Sequence, residues 1–497
     1  MRRSSLLVLQ LGVAATLTAC TSLPAHYELP GPPTVEAPAT SDGHRTYYVD
    51  NSLSTNPCTR YDVQTRSCGG GRELAFNNLA DANGMVAAGD SVLIRSGTYT
   101  EQVAPSRSGT GEAPIRYAAF QQEDVDVVTP EAPGILLKNV QNIVIERLTV
   151  RDSRGWGRLE NAHANRITGN DFREALATGT RGGLKLVDSH YNLITDNTFY
   201  RGNDSIVIQH SDRNRVIGNH FEFARHSLFS IRCGNFNIVR NNYLHNERQK
   251  IGEIYDCQAV SDAPYKLDAT KRNLIEGNHF AFTRNAERPT RYNGIQLAGQ
   301  VGLIRNNLFK KNEGGAIHFA VYEHEALNNY GNRVSSNWFF DNRCYALSGS
   351  TGGGILVGDN RVIGNLLSGN VDCFGYKRST MRAPVFEMQD NEESQAPVQG
   401  LPRVWLTRTM SAGRGTAIPV DDVLPFFDGF GLPGERGDSV QIESTAKDAF
   451  LTLIDYENSV LHFDRELSWE GGDGLRILET NAREPFTVIP SNRVVRD

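Results

Sequence analysis

A short pattern centred on asparagine recurs through the middle of this chain and limits the available folds more than any other feature. The pattern is apolar-x-x-Asn-x-apolar, as in ITGNDF and VIGNHF. Successive copies are 27, 22, 22, 37, 28, 31 and 28 residues apart. A constant signature at varying intervals is typical of a fixed coil with loops of differing length. The copies centre on Asn170, Asn197, Asn219, Asn241, Asn278, Asn306, Asn337 and Asn365.

Asparagine at a fixed point of each repeat indicates a tight turn that is stacked along an axis. This residue tolerates left-handed backbone, and stacked amide side chains can hydrogen-bond to one another. The pattern therefore predicts an all-β solenoid.

The stretch 206–257 contains two copies in close succession, VIGNHF and then IVRNNY. Asn219 and Asn241 are 22 residues apart, and so are His210 and Arg232. Equal separations predict that His210 and Arg232 lie in one column on adjacent coils.

Composition excludes some classes of function. The chain has 497 residues, 39% of them hydrophobic, which is enough for a large core and a second, smaller domain. Its formal net charge of -6 argues against a nucleic-acid-binding protein, because such proteins usually carry a basic surplus. We expect a monomer without a nucleic-acid partner.

The N-terminus has the features of an export signal. Two arginines precede the apolar run LLVLQLGVAATLTAC, which is short for a membrane-spanning helix. Its end, LTAC, resembles a bacterial lipobox. The resemblance implies that residues 1–19 are a lipoprotein signal peptide and that Cys20 is lipidated. Because Thr21 rather than Asp follows, it also implies anchoring in the cell envelope, at the outer membrane of a Gram-negative bacterium. Residues 20–45 are rich in proline and are predicted to be a flexible tether. An ordinary signal peptide with a chance cysteine is the alternative.

Six further cysteines fit disulfide bonds in an exported protein. Their spacing favours one local loop and two bridges between neighbouring coils, since a step of about 5 Å between coils is within disulfide reach. Buried free thiols are the alternative, and no zinc-type spacing is present. The favoured pairs are Cys58–Cys68, Cys233–Cys257 and Cys344–Cys373.

Residues 73–86 carry apolar residues at helical spacing, and the alternating run GDSVLIRSGTY follows them. This opening resembles that of right-handed parallel β-helix proteins, in which a helix caps the end of the stack. The resemblance implies a right-handed parallel β-helix with an N-terminal capping helix over residues 46–380. An irregular linker is expected at 381–416. Alternating segments predict a small antiparallel β-domain at 417–497, packed at the C-terminal end as a stabilising cap or a binding module.

Counting back nine residues from the first four turn asparagines gives a column of polar residues at the end of one strand per coil. Steps of about 5 Å in such a column approximate one sugar unit. Within it, Asp188 would orient His210, and Arg232 would hold an anion. The column consists of Asn161, Asp188, His210 and Arg232.

The parallel β-helix superfamily contains many polysaccharide lyases and uronate epimerases, which share proton abstraction at C5 of a uronic acid. A cation on the sugar carboxylate stabilises the developing enolate, and a positioned base removes the proton. The segment FSIRCGNFNIVRNNY resembles a coil of alginate lyases and chondroitinase B, which implies that Arg232 is the catalytic arginine. His210 stands where that family has lysine. The run IQHSDRNRVIGN followed by FSIR also resembles periplasmic mannuronan C5-epimerases, with His210 as base and Arg232 as carboxylate partner.

The expected catalytic residues are therefore His210 as base, Arg232 as neutraliser, Asp188 as the group that orients His210, and Lys185 as a further carboxylate ligand. Tyr255 or His245 would be the general acid.

Other candidates lie beside this column and on two insertions. Glu253 and Asp256 would bind Ca²⁺, since carboxylates suit that ion. A charged, solvated loop is the alternative interpretation. The predicted substrate-binding residues are Asn161, Arg225, His226, His245, Arg248, Lys250, Tyr255, His318, Tyr322 and His324.

The first functional hypothesis is a polysaccharide lyase that cleaves a uronate-containing glycan by β-elimination. A C5-epimerase on the same class of glycan is the second. A glycoside hydrolase is the third, because RGNDSIVIQHS resembles a strand end of polygalacturonase-like β-helices, although Asn203 replaces one acid. A non-catalytic, glycan-binding surface lipoprotein is the fourth.

Overall fold

The structure is a computed structural model, and its description covers residues 43–177, 182–255, 270–283, 293–320, 329–343, 346–349, 358–370, 387–394 and 404–483. The signal peptide, Cys20 and most of the tether lie outside these ranges, so their roles stay predictions. Within the described ranges, no helix has the length and hydropathy needed to cross a bilayer.

Three largely parallel sheets wind around one core, and from Ile115 to Gly349 the described strands follow the order sheet A, sheet B, sheet C in each coil. In spatial order, sheet A comprises Ser67–Cys68, Cys58–Asp62, Glu73–Phe76, Thr46–Val49, Ser91–Ile94, Ile115–Ala119, Ile143–Glu146, Arg166–Thr168, Leu193–Thr195, Arg215–Ile217, Ile238–Arg240, Leu274–Glu276, Leu303–Arg305, Arg333–Ser335, Arg361–Ile363 and Glu387–Gln389. Sheet B comprises Gly97–Tyr99, Val125–Val127, Thr149–Arg151, Asp171–Arg173, Thr198–Tyr200, His220–Glu222, Tyr243–Asn246, His279–Thr283, Leu308–Lys310, Trp338–Phe340, Leu366–Ser368 and Glu392–Ser394. Sheet C comprises Pro133–Lys138, Gly155–Glu160, Leu184–Val187, Asp204–Gln209, Ser227–Arg232, Gly252–Tyr255, Ile295–Leu297, Ile317–Phe319 and Leu347–Gly349. This architecture confirms the predicted parallel β-helix.

Stacked side chains fill the interior of the coils. Phe199 stacks on Phe172 and Phe221, with ring centroids 4.8 and 4.6 Å apart. A second stack in later coils is formed by Phe280, Phe309 and Phe339. Because equivalent residues of successive coils are about 4.8 Å apart, parallel rings can meet in offset contact along the axis.

The predicted asparagine ladder is present, with a one-residue correction in two coils. Asn170 donates through both its backbone N and its Nδ2 to Asn197 Oδ1, at 2.9 and 3.0 Å. The ladder passes through Asn242 and Asn307, so the choice of Asn241 and Asn306 was wrong. The ladder consists of Asn170, Asn197, Asn219, Asn242, Asn278, Asn307, Asn337, Asn365 and Asn391.

The residue before each ladder asparagine explains the correction. Asn241 has a φ of 56° and Asn306 a φ of 53°, the left-handed turn that Gly218 and Gly277 adopt in other coils. In the doublets of IVRNNY and LIRNNL, the first asparagine makes this turn and the second enters the ladder.

Two more asparagine ladders lie five residues before and after the first in the sequence. The earlier one marks the entry to sheet A and runs from Asn165 to Asn273, with a later pair at Asn332 and Asn360. The later one joins Asn312, Asn342 and Asn370. These buried amides fix the corners of the coil.

The N-terminal cap is shorter than its apolar spacing suggests. Glu73–Phe76 forms a strand of sheet A, and the helix spans only Leu79–Met85. Asn78 sets the start of this helix, because its side chain accepts a hydrogen bond from the backbone N of Asp81 at 2.8 Å. A 3₁₀ turn at Phe120–Gln122 is the other helical element among the described residues.

The C-terminal strands form an antiparallel sheet, here sheet D, that lies along sheet A rather than at the end of the stack. Its spatial order is Thr407–Arg408, Gly474–Glu479, Ser439–Ile442, Asp448–Asp455, Val460–Trp469 and Gly413–Pro419. The β-helix itself continues to Ser394, through part of the segment expected as a linker. Sheet D and its loops are tied to sheet A by the ion pairs Arg240–Glu435, Arg305–Asp438 and Arg333–Asp422.

Arg305 is the centre of this contact. Its guanidinium binds Asp438 through two bonds of 2.6 Å and donates to Glu276 at 2.8 Å. All three side chains are at most 1% exposed. Burial acts to raise the pKa of Glu276, but the charges of Arg305 and Arg240 hold it below its ordinary value. The attraction between these buried charges therefore holds sheet D beside sheet A.

The predicted disulfide Cys58–Cys68 is confirmed. Cys233 is also disulfide-bonded, but Cys257, Cys344 and Cys373 lie outside the described residues, so the other two pairings stay predictions.

Asn242→Ala should lower the free energy of unfolding by about 3 kcal/mol, because it strands buried partners. Asn242 accepts two bonds from Asn219, at 2.8 and 3.1 Å, and donates to Val216 O and Asn278 Oδ1. Denaturant unfolding measures the loss. Asn241→Gly is the control: it removes one exposed bond, from Arg483 N at 2.9 Å, and should cost less than about 1 kcal/mol, since glycine holds this turn in other coils. Equal losses in both variants would contradict the assigned ladder.

Arg305→Met should destabilise the protein by about 3–5 kcal/mol, because it leaves Asp438 buried without its cation and Glu276 with Arg240 alone. Arg408→Met removes the exposed ion pair with Glu443, at 3.2 Å, and should lose less than about 1 kcal/mol. Thermal and denaturant unfolding of the two variants test this difference, and a small loss for Arg305→Met would count against the proposed role of the buried contact.

Candidate functional site

The outer face of sheet C presents a row of residues that are in register along the axis. Alternate residues of a strand point to opposite faces, and here the inward ones, such as Leu184 and Leu186, are buried in the core. The outward row consists of Arg158, Lys185, Val207, Ser230, Glu253, Gln296, His318 and Ser348.

The predicted alignment of His210 with Arg232 is wrong. Arg232 pairs with Gln209, and His210 lies one position further, in the turn that leaves sheet C. The coil between Asn219 and Asn242 has 23 residues, one more than the coil before it. The residues that share the turn position of His210, all with positive φ, are Asn139, Asn161, Asp188, His210 and Cys233.

Asp188 and His210 are nevertheless neighbours. His210 Nδ1 lies 3.9 Å from Asp188 Oδ1, and the Asp188 side chain is 57% exposed. The distance is long for a hydrogen bond, so this contact is weaker than the carboxylate–imidazole contact described next.

Asp204 and His226 form a close carboxylate–imidazole pair. Asp204 begins the strand Asp204–Gln209 and is in register with Ser227 of the next coil. His226 precedes Ser227, and its Nδ1 lies 2.6 Å from Asp204 Oδ1. Ser227 Oγ donates to the same oxygen at 2.8 Å. The side chain of Asp204 is 2% exposed and that of His226 is 32% exposed, so a buried carboxylate lies beneath an accessible imidazole.

Glu253, one coil further along, receives several contacts. Tyr255 Oη donates to Glu253 Oε1 at 2.6 Å, and Lys250 forms an ion pair with the same oxygen. Lys250 also donates to Gln296 Oε1 at 2.7 Å. His226 Nε2 is 3.6 Å from Glu253 Oε1. His226 therefore lies between two carboxylates.

Arg232 connects the two carboxylates. Its Nη2 lies 3.7 Å from Asp204 Oδ2 and 3.9 Å from Glu253 Oε2, and its Nε donates to Ser230 Oγ at 2.8 Å. The guanidinium carbon is 5.0 Å from the centre of the Tyr255 ring. The arginine side chain is 15% exposed, so a cation borders the accessible imidazole of His226.

The Asp204–His226 contact shifts the pKa of both groups. Burial acts to raise the pKa of Asp204, but the hydrogen bond from His226 and the charge of Arg232 bring it below its ordinary value. The hydrogen bond to Asp204 raises the pKa of His226, against the effect of burial, and the charge of Glu253 adds to the rise. The pair thus increases the proton affinity of the imidazole.

The same residues could supply a metal ion with ligands. Asp204, His226 and Glu253 each offer one ligand atom, and these atoms lie within 4.8 Å of one another. However, Arg232 and Lys250 already neutralise the two carboxylates, and a divalent cation would be repelled by both. The arrangement suits proton transfer better than Ca²⁺ binding. Asp256, the other expected calcium ligand, lies outside the described residues.

The structure brings some predicted residues into this cluster and separates others from it. His226, Arg232, Lys250, Glu253 and Tyr255 meet on sheet C, and Lys185 lies on the same face.

The remaining candidates have other positions. His245 lies on sheet B, where its ring meets Phe223 and Phe282. Arg225 and Arg248 are exposed. His318 belongs to a strand of sheet C, although an insertion was expected there. Asn161 is in the turn column, and Tyr322 and His324 lie outside the described residues.

The site residues that were not predicted include Asp204, Gln296 and Ser348, together with the serines Ser227 and Ser230 that contact Asp204 and Arg232. A signal for Asp204 was present, because it lies 22 residues before His226, which equals one short coil. Gln296 and Ser348 follow long insertions, so their register could not be counted from the sequence.

Two families match parts of the chain. One, described as "Right handed beta helix region", matches residues 187–374, in agreement with the fold above. The other, described as "Periplasmic copper-binding protein (NosD)", matches residues 118–252. Each match spans less than half of the chain.

A curated relative, the uncharacterised protein YwoF of Bacillus subtilis (strain 168), is 34% identical over 123 residues. The match covers 23% of this chain and 26% of YwoF, so the chain spans about a quarter of that relative's length.

Several solved structures are similar. A GH136 lacto-N-biosidase from Eubacterium ramulus is 12% identical over 71% of this chain and 68% of its own, with a TM-score of 0.48. A mannuronic acid-specific family 6 polysaccharide lyase from human gut microbiota is 16% identical over 63% of this chain and 87% of its own, with a TM-score of 0.45. The family 6 alginate lyase AlyGC is 14% identical over 65% of this chain and 53% of its own, with a TM-score of 0.44. At these values the similarity gives no information on reaction or substrate.

The pKa of His226 should lie above its ordinary value of 6.5, and Asp204→Asn should lower it, because the bond that favours the charged imidazole is weakened. Since the folded-state pKa is raised, the contact should stabilise the protein below about pH 6.5 and lose this effect as pH rises through the raised pKa. Histidine NMR titration measures the change. Asp188→Asn is the control and should leave the pKa of His226 unchanged. A pKa of His226 at or below 6.5 in the parent would contradict the assignment.

Proposed function

We propose that the protein is a polysaccharide lyase that cleaves a uronate-containing glycan by abstraction of the C5 proton and β-elimination. The observation that carries the proposal is the Asp204–His226 pair beside Arg232 on the outer face of sheet C. It combines an accessible base of raised proton affinity with a cation for the sugar carboxylate.

The roles follow from the chemistry of the reaction. Arg232 would bind the C6 carboxylate and stabilise the charge that develops when the C5 proton leaves. His226, held by Asp204, would take that proton through Nε2, since its Nδ1 is bonded to the carboxylate. This assigns the base to His226 instead of His210.

Tyr255 is the proposed general acid. Its hydroxyl donates a hydrogen bond to Glu253, and the guanidinium carbon of Arg232 lies 5.0 Å from the centre of its ring. Transfer of this proton to the leaving glycosidic oxygen would complete the elimination, and Glu253 would hold the hydroxyl in place until substrate arrives.

A hydrolase is less compatible with this geometry. Hydrolysis of a glycosidic bond requires two carboxyl groups that reach the sugar. The side chains of Asp204 and Glu253 are only 2% and 0% exposed, and His226 and Arg232 lie against them. The accessible groups of the site are thus a base and a cation.

A C5-epimerase is the second candidate, and one observation favours it. Both His226 and Tyr255 contact Glu253 Oε1, so two proton-carrying groups lie next to one carboxylate. If one removed the C5 proton and the other returned a proton to the opposite face, the same site would epimerise the sugar. The lipobox-like segment LTAC supports placing either activity at the cell envelope, on a lipid anchor at Cys20.

The parent protein should release unsaturated product from at least one of alginate, pectate, glucuronan or a glycosaminoglycan, measured by ultraviolet absorbance with and without a chelator. His226→Ala should lower turnover by about 10²–10⁴-fold, as expected for loss of a general base. Arg232→Ala should cause a comparable loss. His462→Ala, on sheet D, is the matched control and should retain full turnover.

Each alternative gives a different result. Loss of turnover in His210→Ala but not in His226→Ala would assign the base to His210 and refute the proposed site. A changed uronate composition by NMR without unsaturated product would identify an epimerase. Glycan binding without either change would identify a non-catalytic binder.

A further inference from the structure

We infer that Glu253 relays the proton that His226 takes from C5 to Tyr255 after each elimination, so that base and acid are both reset without a proton from solvent. This rests on the proposed function and deepens it, because it assigns a role in turnover to a carboxylate that the elimination step itself does not use.

A single oxygen atom of Glu253 lies next to both groups that change their protonation state. His226 Nε2 is 3.6 Å from Glu253 Oε1, and Tyr255 Oη donates to the same atom at 2.6 Å. The separation of 3.6 Å is longer than a hydrogen bond, and such contacts often tighten when substrate binds. The base, the carboxylate and the acid thus form one chain of contacts.

The fold explains why these three groups meet. Glu253 and Tyr255 are two residues apart in the strand Gly252–Tyr255, and the alternation of a β-strand places them on one face of sheet C. His226 reaches this face from the preceding coil, where Ser230 pairs with Glu253.

The protons and charges balance over one cycle. In the elimination, the C5–H bond breaks and its proton binds His226 Nε2, while the electron pair forms a double bond between C4 and C5. The bond from C4 to the leaving oxygen breaks, and that oxygen takes the proton of Tyr255 Oη. An imidazolium and a phenolate remain. In the reset, the imidazolium gives its proton to Glu253 Oε1, and Glu253 gives it to the phenolate, so no outside acid is consumed.

The ordinary acidities of the two groups drive this transfer. An imidazole ionises at about pH 6.5 and a phenol at about pH 10, so a proton moves from imidazolium to phenolate with an equilibrium constant of about 10³. The hydrogen bond to Asp204 raises the pKa of His226 and narrows this difference. The relay therefore runs from His226 to Tyr255.

Two cations stabilise the state that precedes the reset. The guanidinium carbon of Arg232 is 5.0 Å from the centre of the Tyr255 ring, and Lys250 Nζ is 5.9 Å from it, so both attract a phenolate. Lys250 is also ion-paired with Glu253 Oε1, which holds that oxygen in place. The side chain of Glu253 is fully buried, so a neighbouring group and not bulk water supplies its proton.

Glu253→Gln tests the relay, because the amide can still accept the hydroxyl bond of Tyr255 but cannot pass on a proton. The substrate is the uronan that the parent cleaves. We expect one rapid turnover and then a steady state at least about tenfold slower than that of the parent. Stopped-flow absorbance should show a phenolate during the slow phase, at wavelengths beyond the product band. Small buffer acids, raised in concentration at constant pH and ionic strength, should restore turnover.

Glu222→Gln is the matched control, because Glu222 also contacts an imidazole, His220 Nε2, at 2.9 Å on sheet B. It should show the turnover of the parent, no phenolate and no response to buffer. If Glu253 only positions Tyr255, Glu253→Gln will slow the first and later turnovers equally, without phenolate or buffer rescue, and the relay is refuted. If Glu253→Gln does not fold, the parent decides instead, because a dependence of its turnover on buffer concentration would refute the relay and independence would support it.

The outcome for the lyase proposal is separate. Unsaturated product from the parent, with no slow phase in Glu253→Gln, supports the lyase and refutes the relay. If the parent epimerises uronates instead, the lyase proposal fails, and substrate deuterated at C5 tests the relay. Deuterium retained at C5 over many turnovers supports it, and complete loss to solvent refutes it. If the parent neither cleaves nor epimerises any uronan, both are refuted.

Discussion

The buried asparagine ladder is the interaction on which the rest of this structure depends. Each amide accepts from the backbone N and the Nδ2 of the preceding coil, and donates its own protons to the next coil and to a nearby carbonyl, as Asn197 does with Asn219 Oδ1 and Ile167 O. A buried amide left without these partners would be costly. The chain must therefore return to the same corner in every coil, whatever loop lies between.

Fixed corners explain how residues far apart in sequence meet on sheet C. Asp204, His226 and Glu253 come from three successive coils, and their ligand atoms lie within 4.8 Å because coils are stacked at the spacing of β-strands. Sequence separation matters little here, since insertions leave the stack and return to it. The register of the coils thus decides which side chains meet in the site. A register error of one residue therefore assigns the wrong residues to it.

Such an error limited what the sequence could predict. The repeat gave the fold and most corners, but the doublet Asn241-Asn242 offers two candidates for one ladder position, and only backbone conformation decides between them. Counting from the wrong asparagine aligned Arg232 with His210 instead of Gln209. The sequence contains no repeat from which the position of sheet D could be predicted. Its location depends on charges buried on sheet A, such as Arg305, whose partner Asp438 lies 133 residues away.

The charges around His226 are balanced in a way that suits abstraction of a proton from an anionic sugar. With the imidazole neutral, Asp204 and Glu253 offset Arg232 and Lys250, so the cluster is neutral before substrate binds. In the proposed reaction, a uronate carboxylate at Arg232 would add one negative charge, and loss of the C5 proton would add a second to the sugar. The proton gained by His226 would place a positive charge between that sugar and the two buried carboxylates. Each step therefore creates opposite charges next to each other in a site of low dielectric, where their attraction is strongest. A neutral sugar would gain nothing from Arg232, and the same cluster would then have no means to stabilise the carbanion.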